Sequence, residues 1–338
     1  MALRRPPQRV APSGYAGWLV ARLQDPAVYG ASAPVELYET VISWVFLTKD
    51  RAYKLKKPVR LPYVDYSTAA VRRDMCDEEL RLNRRLAPEI YVDVRAVVRD
   101  GSRARLGERG DPGAIDHVVE MRRYDTSLTA AAALLRGETI PVQDIGERLA
   151  AFHADAPVHR PPSTAAACRA SVGATVSALR AFLPGRALLL SREERLVRSL
   201  IDRCRRELEW RVRHGYVRDG HGDVRAEHVL VSQPPAIVDC IEFDAARRTR
   251  DVGADLARLK VDLTARGKPQ MGDELVAAYR SAGGDPGDDR LLDLWCAQES
   301  LAAARIVLSR HGHAEISRAE ALLDLGSHFA NRAIAAGD

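Results

Sequence analysis

The stretch YVRDGHGDVRAEHVLVSQPPAIVDCIEFD (residues 216–244) interrupts a chain that is otherwise alanine- and leucine-rich and helical in pattern after residue 123. The runs HVLV and AIVDCIEF have strand character and flank a Pro-Pro turn, so the stretch predicts a β-hairpin. Its acidic residues occupy turn-rich positions beside these apolar runs. Among them are Asp223, Asp239, Glu242, Asp244 and, shortly afterwards, Asp251. Because neighbouring carboxylates repel one another unless a cation or donor balances them, a divalent metal ion holding an anionic substrate is one explanation. The other explanation is that these acids lie in turns that are exposed to solvent.

Upstream of this stretch, the pattern is that of a small sheet with one long helix. Five runs have strand character: VELYE (35–39), SWVFLT (43–48), RAYKLK (51–56), VDVRAVVRD (92–100) and IDHVVEMRR (115–123). Between the third and fourth runs, residues 67–86 are charged and helix-forming, with apolar residues at helical spacing. We expect residues 1–13, which contain three prolines and three arginines, to form a loose tail.

Downstream, helical patterns lie on both sides of the 216–244 stretch. They cover 127–136, 141–155, 164–182, 190–213, 251–264, 271–282, 288–310 and 314–336. The sequence therefore predicts an α+β protein with two lobes. Residues 1–122 would form a small N-terminal lobe with an antiparallel sheet, and residues 123–338 a larger, mainly helical C-terminal lobe.

Composition excludes several classes of protein. The 338 residues are 46% hydrophobic and 29% charged, as in a soluble globular protein. The net charge of +5 is spread along the chain and only 6% of residues are aromatic, which does not indicate a nucleic-acid partner. No apolar run reaches the roughly 18 residues of a membrane span, and no secretory signal is evident. Five scattered cysteines without a C-x-x-C pair argue against a disulfide scaffold. We therefore expect a cytoplasmic protein.

The spacing in and after the 216–244 stretch resembles that of the aminoglycoside phosphotransferase-like kinases, which are small-molecule relatives of the protein kinases. The matching residues are His221-Gly222-Asp223, then Asp239 after a strand, then Asp251 twelve residues later. The tripeptide alone would be weak evidence for this family, whereas its combination with the hairpin and the spacing of the aspartates is specific for it. The resemblance extends from about residue 35 to 260. It implies a two-lobed protein-kinase-like fold in which Asp251 is a buried acid that ties the backbone of the catalytic loop.

The resemblance also implies a lysine on the third strand and a glutamate on the helix that follows. Lys54 matches the lysine, and Lys56 is its near rival because strand alternation puts both on one face. Lys57, at the end of the strand, is expected to be solvated. Glu79 matches the glutamate better than the adjacent Glu78 does, and only one of these two neighbours can face the cleft.

Roles follow from this resemblance and from the physics of phosphoryl transfer, which depends mainly on positioning and charge neutralisation. Lys54 would hold the nucleotide phosphates, oriented by an ion pair with Glu79. Asp239 would bind Mg²⁺, since hard cations prefer carboxylate oxygens. Asp223 would orient the acceptor hydroxyl. Arg225, in the same loop, would contact the γ-phosphate or an acidic acceptor.

Three further positions complete the expected site. The family usually has Asn as a metal ligand where this chain has His228, and imidazole suits Mn²⁺ or zinc better than Mg²⁺. The turn after the first strand lacks glycines, so the hydroxyl of Thr40 or Ser43 would take the place of backbone amides toward the phosphates. The backbone near Glu120 and Met121 would meet the adenine edge.

The sequence therefore predicts a kinase that moves the γ-phosphate of ATP or GTP to a hydroxyl of a small molecule, with Mg²⁺, or alternatively Mn²⁺, as cofactor. Sugars, aminoglycosides, nucleosides and amino alcohols are all open as acceptors. A nucleotide-binding pseudokinase is the alternative, motivated by His228. The presence of all four of the lysine, the glutamate and the two aspartates favours activity.

Overall fold

The computed structural model describes residues 14–61 and 63–335; the tail expected at residues 1–13 lies outside the described residues. The chain forms two compact units. The first runs to Ile140 and also includes Glu227–Ala245; the second combines Pro141–Ala226 with the chain from Ala246 onward. The division therefore differs from the boundary we expected between residues 122 and 123.

The 227–245 segment belongs to the first unit because of its backbone contacts. Thr129 forms an antiparallel bridge with Leu230, and the N–H of Ile237 donates to the carbonyl of Leu86 at 3.3 Å. These contacts join the hairpin to residues that lie about one hundred or more positions earlier in the chain, so both belong to one body.

The first unit is built on a six-stranded antiparallel sheet with one long helix. Its strands before Ile140 are β1 (Glu36–Glu39), β2 (Ser43–Leu47), β3 (Arg51–Lys56), the short β4 (Arg60–Leu61) and β5 (Val64–Asp65), β6 (Tyr91–Asp100), β7 (Arg103–Gly107) and β8 (Ala114–Arg122). Its helices are α1 (Gly14–Leu23), α2 (Ala69–Asn83) and α3 (Ala130–Leu135). The order across the sheet is β1-β2-β3-β8-β6-β7, and β4 and β5 pair separately. The α+β fold class and the antiparallel sheet are confirmed.

The two faces of β3 explain how this unit holds its charged groups. Tyr53 and Leu55 pack into an apolar cluster with Phe46, so alternation puts Lys54 and Lys56 on the opposite face, beside α2. Helix α2 begins after Thr68, whose side chain accepts from the N–H of Val71 at 3.2 Å. Its buried stripe contains Cys76, Leu80 and, at the same spacing, Glu79 and Asn83. Polar residues therefore stand in the buried stripe of the helix, next to the two lysines.

The hairpin predicted from the 216–244 stretch is shorter than its apolar runs. Strands β10 (Val229–Leu230) and β11 (Ala236–Ile237) pair over two residues only. The chain then leaves strand geometry, and Asp239 has a φ of +64°. This is the left-handed region, which is uncommon outside glycine although aspartate tolerates it.

The second unit is mainly helical. Its helices are α4 (Val142–Asp155), α5 (Thr164–Phe182), α6 (Ala187–Arg203), α7 (Arg205–Arg213), α8 (Ala245–Arg248, beginning at the junction), α9 (Val252–Ala265), α10 (Pro269–Ser281), α11 (Asp289–His311) and α12 (Ile316–Ala335). Two short strands, β9 (Val217–Asp219) and β12 (Thr249–Asp251), pair with each other at the ends of the loop that contains Asp223. Helix α9 is buried along nearly its whole length and lies at the centre of this unit. Within the part of the chain that the structure describes, no helix is both long and apolar enough to cross a membrane.

Candidate active site

Three of the predicted residues meet in the first unit. The Nζ of Lys54 donates to Oε1 of Glu79 at 2.7 Å and to Oδ1 of Asp239 at 3.1 Å. Glu79 is fully buried, whereas the side chain of Asp239 is half exposed (50%). Burial lowers the pKa of Lys54, but Asp239 and Glu79 raise it more, so the net pKa lies well above its ordinary value. The arrangement keeps an ammonium group between one buried carboxylate and one accessible carboxylate.

A second lysine contacts the same glutamate. The Nζ of Lys56 donates to Oε2 of Glu79 at 2.7 Å and to Glu242, and the hydroxyl of Tyr66 donates to the same Glu242 at 2.8 Å. Burial raises the pKa of Glu79, but Lys54 and Lys56 lower it more, so this carboxyl stays ionised at neutral pH. From the sequence, Lys56 is a rival of Lys54; in the structure both lysines bind Glu79. Strand alternation was the signal that put them together.

The backbone around Asp239 is held by side chains from two elements of the same unit. The N–H of Cys240 donates to Oδ1 of Asn83 at 2.9 Å, and the N–H of Asp239 donates to the hydroxyl of Tyr91 at 3.3 Å. A residue in the left-handed region persists when its surroundings determine its conformation. Here α2 and β6 supply those contacts, and they orient the carboxylate of Asp239 toward Lys54.

His228, the position where the family usually has Asn, lies beside Asp239. Its Nε2 is 3.5 Å from Oδ2 of Asp239. Among the residues that the structure describes, no group of three or more His, Cys, Asp and Glu side chains is arranged to hold a metal ion. Mg²⁺ in nucleotide sites is commonly held by one or two carboxylates together with substrate phosphates. The half-exposed carboxylate of Asp239 fits that mode of binding.

In the second unit, two arginines hold Asp223. Oδ1 accepts from Nε of Arg258 at 3.0 Å, and Oδ2 accepts from Nε of Arg225 at 3.1 Å. Arg225 was a candidate from the sequence, whereas Arg258 on α9 was missed because nothing in the local sequence links that helix to the loop. Arg258 also lies 3.8 Å from Glu299 on α11. The carboxylate of Asp223 is thus oriented by two guanidinium groups.

The backbone of this loop is tied by Asp255, not by Asp251 as expected. The N–H groups of His221 and Gly222 donate to the carboxylate of Asp255 at 2.7 and 2.8 Å, and Nε2 of His153 lies 3.2 Å from it. Burial raises the pKa of Asp255, but the hydrogen bond and charge of His153 lower it more, and the net pKa is well below its usual range. Asp255 lies four residues after Asp251, about one helical turn, so the sequence pattern did not show which of the two acids ties the loop.

Close approach at this point requires glycine. A Cβ added to Gly220 would lie 2.6 Å from Oδ2 of Asp255, well inside van der Waals contact. The glycine therefore allows α9 to bring its carboxylate against the loop.

Asp251 itself has a different structural role. Its carboxylate accepts from Nε and Nη2 of Arg211 at 2.7 and 2.9 Å, and it caps α9 by accepting from the N–H of Gly253 at 2.8 Å. Both side chains of this ion pair are 1% exposed. The expectation that Asp251 is a buried structural acid agrees with these contacts, although its partners are an arginine and a helix terminus.

The glycine-free turn between β1 and β2 is closed by its own side chains. The hydroxyl of Thr40 accepts from the N–H of Ser43 at 2.9 Å and donates to its carbonyl at 3.1 Å. Ser43 is fully buried, and its hydroxyl has no hydrogen-bond partner among the described residues. Lys57 is not solvated as expected: it is 5% exposed and donates to Glu39 and to the carbonyl of Thr40. A nucleotide-binding role for Ser43 stays a prediction.

Glu120 and Met121 lie within β8, which pairs with a strand on each side. Met121 is opposite Ala52 of β3 and Tyr91 of β6, and the side chain of Glu120 contacts Arg51 at 3.4 Å. That their backbone meets an adenine edge likewise stays a prediction.

Comparison with known proteins gives relatives in sequence and in structure. No family model matches the chain. An uncharacterized protein of Mycobacterium tuberculosis is 30% identical over 312 residues, which cover 87% of this chain and 58% of the relative; an uncharacterized protein of Mycobacterium bovis matches equally. The chain therefore spans little more than half the length of the curated relatives that it matches.

Among solved structures, choline kinase from Cryptosporidium parvum superposes with a TM-score of 0.55 at 10% identity, covering 95% of this chain and 96% of that protein. The GDP and kanamycin complex of the aminoglycoside phosphotransferase APH(2")-IIIa has a TM-score of 0.50 at 13% identity and covers 92% and 98%. A choline/ethanolamine kinase family protein from Mesorhizobium loti has a TM-score of 0.50 at 16% identity and covers 93% and 97%. The resemblance seen in the sequence is confirmed at the level of the fold: this chain has the protein-kinase-like fold of the small-molecule kinases.

Proposed function

We propose that this protein is a phosphotransferase that moves the γ-phosphate of ATP or GTP to a hydroxyl group of a small molecule. The observation that carries the proposal is the position of the Lys54 ammonium between buried Glu79 and half-exposed Asp239. An ammonium held by a buried carboxylate is suited to nucleotide phosphates, and an accessible carboxylate beside it is suited to the metal ion that accompanies them.

Each group then has a defined task. Lys54, held by Glu79, neutralises charge on the nucleotide phosphates. Asp239 would hold the divalent ion, which when bound would supply charge neutralisation to the phosphates. Asp223 accepts a hydrogen bond from the acceptor hydroxyl and receives its proton as the oxygen attacks the γ-phosphorus and the bond to the nucleoside diphosphate breaks. Arg225 donates to the same carboxylate and would contact the transferred phosphoryl group or an acidic acceptor.

The nucleotide is supported by an independent comparison. One of the proteins with this fold was solved in complex with GDP and kanamycin, another is a choline kinase, and a third belongs to the choline/ethanolamine kinase family. These proteins act on different small molecules with one fold, so the acceptor here has to be found by assay.

The first test is calorimetric titration of ATP and of GTP, each with Mg²⁺ and then with Mn²⁺. We expect nucleotide binding that depends on the metal ion, and the metal preference reports on His228. A panel of hydroxyl acceptors, followed by release of ADP or GDP, then tests turnover. No nucleotide binding under any of these conditions contradicts the proposal.

The variant Asp223→Asn separates catalysis from binding. It removes the proton acceptor while keeping the size of the side chain, so turnover is expected to fall by about 10²–10⁴ with nucleotide affinity unchanged. Unaltered turnover contradicts the role of Asp223. Nucleotide binding without turnover on any acceptor in the wild-type protein would favour the pseudokinase alternative.

A further inference from the structure

Lys56 is a buried ammonium group that the proposed mechanism does not use. Its side chain is 0% exposed, so it cannot contact a nucleotide from its place in the structure. A buried charge is costly unless it is paired and hydrogen-bonded. The site satisfies Lys56 with Glu79 and Glu242, and the ring of Tyr66 lies 5.1 Å from its Nζ. An apolar side chain at this strand position would avoid that cost, so the charge itself requires a reason.

One reason lies in the division of Glu79 between two lysines. Lys54 binds Oε1 and Lys56 binds Oε2. Lys54 must direct donors toward the phosphates in the proposed reaction, and each donor that it redirects weakens its hold on Glu79. Lys56 keeps the second oxygen of Glu79 in place throughout, because its side chain is fully buried.

A second reason lies in the connection to the metal ligand. Glu242, the other partner of Lys56, follows Asp239 by three residues and is also bound by the hydroxyl of Tyr66. Asn83, which holds the N–H of Cys240, also donates from Nδ2 to the carbonyl of Glu79 at 2.9 Å. Strand β3, helix α2 and the segment with Asp239 are therefore joined by one buried network.

We propose that Lys56 is a positioning residue of the candidate site: it fixes Glu79 and, through Glu242, the segment that presents Asp239 to a metal ion. The inference rests on the proposed function. In this proposal Lys54 binds the nucleotide phosphates, whereas Lys56 keeps the carboxylates of Glu79 and Glu242 in place.

The experiment measures nucleotide affinity with and without Mg²⁺ in the full chain, together with thermal unfolding. The variants are Lys56→Met and the double variant Lys56→Met/Glu242→Gln, which also removes the charge that Lys56 balances. Lys260→Met is the matched control, because Lys260 is a buried lysine (4% exposed) that binds Asp273 in the second unit.

In both Lys56 variants, we expect the gain in nucleotide affinity that Mg²⁺ provides to fall about tenfold, the loss typical when groups that orient a metal ligand are removed. Affinity without metal should change less than this gain does, since Lys54 keeps its charge and its own bond to Glu79. The control should keep the full gain. A double variant that recovers both its thermal stability and the full Mg²⁺-linked gain overturns the proposal, because Lys56 would then be structural only.

Two outcomes keep the two proposals distinguishable. If the wild-type protein binds neither nucleotide with Mg²⁺ or with Mn²⁺, the proposed function fails. If the wild type shows it and the Lys56 variants match the wild type, only the role of Lys56 fails. Should neither Lys56 variant fold, Glu242→Gln alone decides: it removes the charge through which Lys56 is proposed to fix the segment with Asp239, and an unaltered Mg²⁺-linked gain overturns the proposal.

Discussion

Replacing Asp255 with Asn tests how the loop that contains Asp223 is held. The carboxylate accepts two backbone N–H groups, from His221 and Gly222, and a third contact from His153. Asn offers one oxygen and turns an NH₂ group toward a remaining donor, so at least one buried N–H loses its partner. Loss of the charge-assisted bonds and an unsatisfied donor together cost about 3–5 kcal/mol of the free energy of unfolding.

Urea unfolding at neutral pH measures this cost. The matched control is Asp289→Asn, because the side chain of Asp289 is 84% exposed and pairs with Arg280 at the surface. This variant should change the free energy of unfolding by less than about 0.5 kcal/mol. Because Asp223 lies one residue beyond Gly222, turnover should also fall while nucleotide affinity stays. An Asp255→Asn protein that unfolds with the wild-type free energy would refute the role of this carboxylate.

The same variant has a pH signature. The folded-state pKa of Asp255 is lowered, so its ionisation contributes stability that is fully present above the unfolded pKa of about 3.9 and is lost as the pH falls toward the folded pKa. Asn does not titrate. The difference in unfolding free energy between wild type and variant should therefore shrink by about 1 kcal/mol between pH 5 and pH 3. A difference that stays constant over this range would contradict the lowered pKa.

Three further predictions concern other parts of the two units. Asp239→Asn keeps a side chain that tolerates the left-handed backbone but removes the charge, so calorimetry should show loss of the Mg²⁺-dependent part of nucleotide affinity; retained metal dependence would exclude Asp239 as the ligand. Arg211→Met leaves buried Asp251 without its arginine and should lower the free energy of unfolding by about 3–5 kcal/mol in urea, with partial recovery when Asp251→Asn is added; no loss would show that the ion pair is not stabilising. Arg258→Met removes one of two guanidinium groups on Asp223 and should lower kcat by about 10–100-fold, in line with the loss of a charged hydrogen bond. Weakened nucleotide affinity in that variant would instead indicate a displaced loop.

Contacts that depend on local periodicity could be predicted from the sequence. Strand alternation put Lys54 and Lys56 on one face of β3, where both bind Glu79; that Glu79 is the partner of Lys54 was implied by the resemblance to the small-molecule kinases. Five of the eight strands before Ile140 and helix α2 were also predicted from such periodicity, whereas β7 was not. Such patterns specify which face of an element is buried.

Contacts between distant segments could not be predicted in this way. Lys56 meets Glu242 across 186 residues, and Arg258 reaches Asp223 from a helix whose own pattern only marks it as buried. Whether Asp251 or Asp255 ties the loop depends on a close approach at one glycine. Periodicity identifies the buried face but not the partner that lies against it.

The discontinuity of the first unit limits how this protein can be divided. A fragment that ends at Ile140 would retain Lys54, Lys56 and Glu79 but lack Asp239 and Glu242, leaving two ammonium groups against a single carboxylate. A buried ammonium without its counter-charge opposes folding. Fragment complementation should therefore require residues 227–245, supplied in cis or as a separate peptide, before the N-terminal piece assumes its native form.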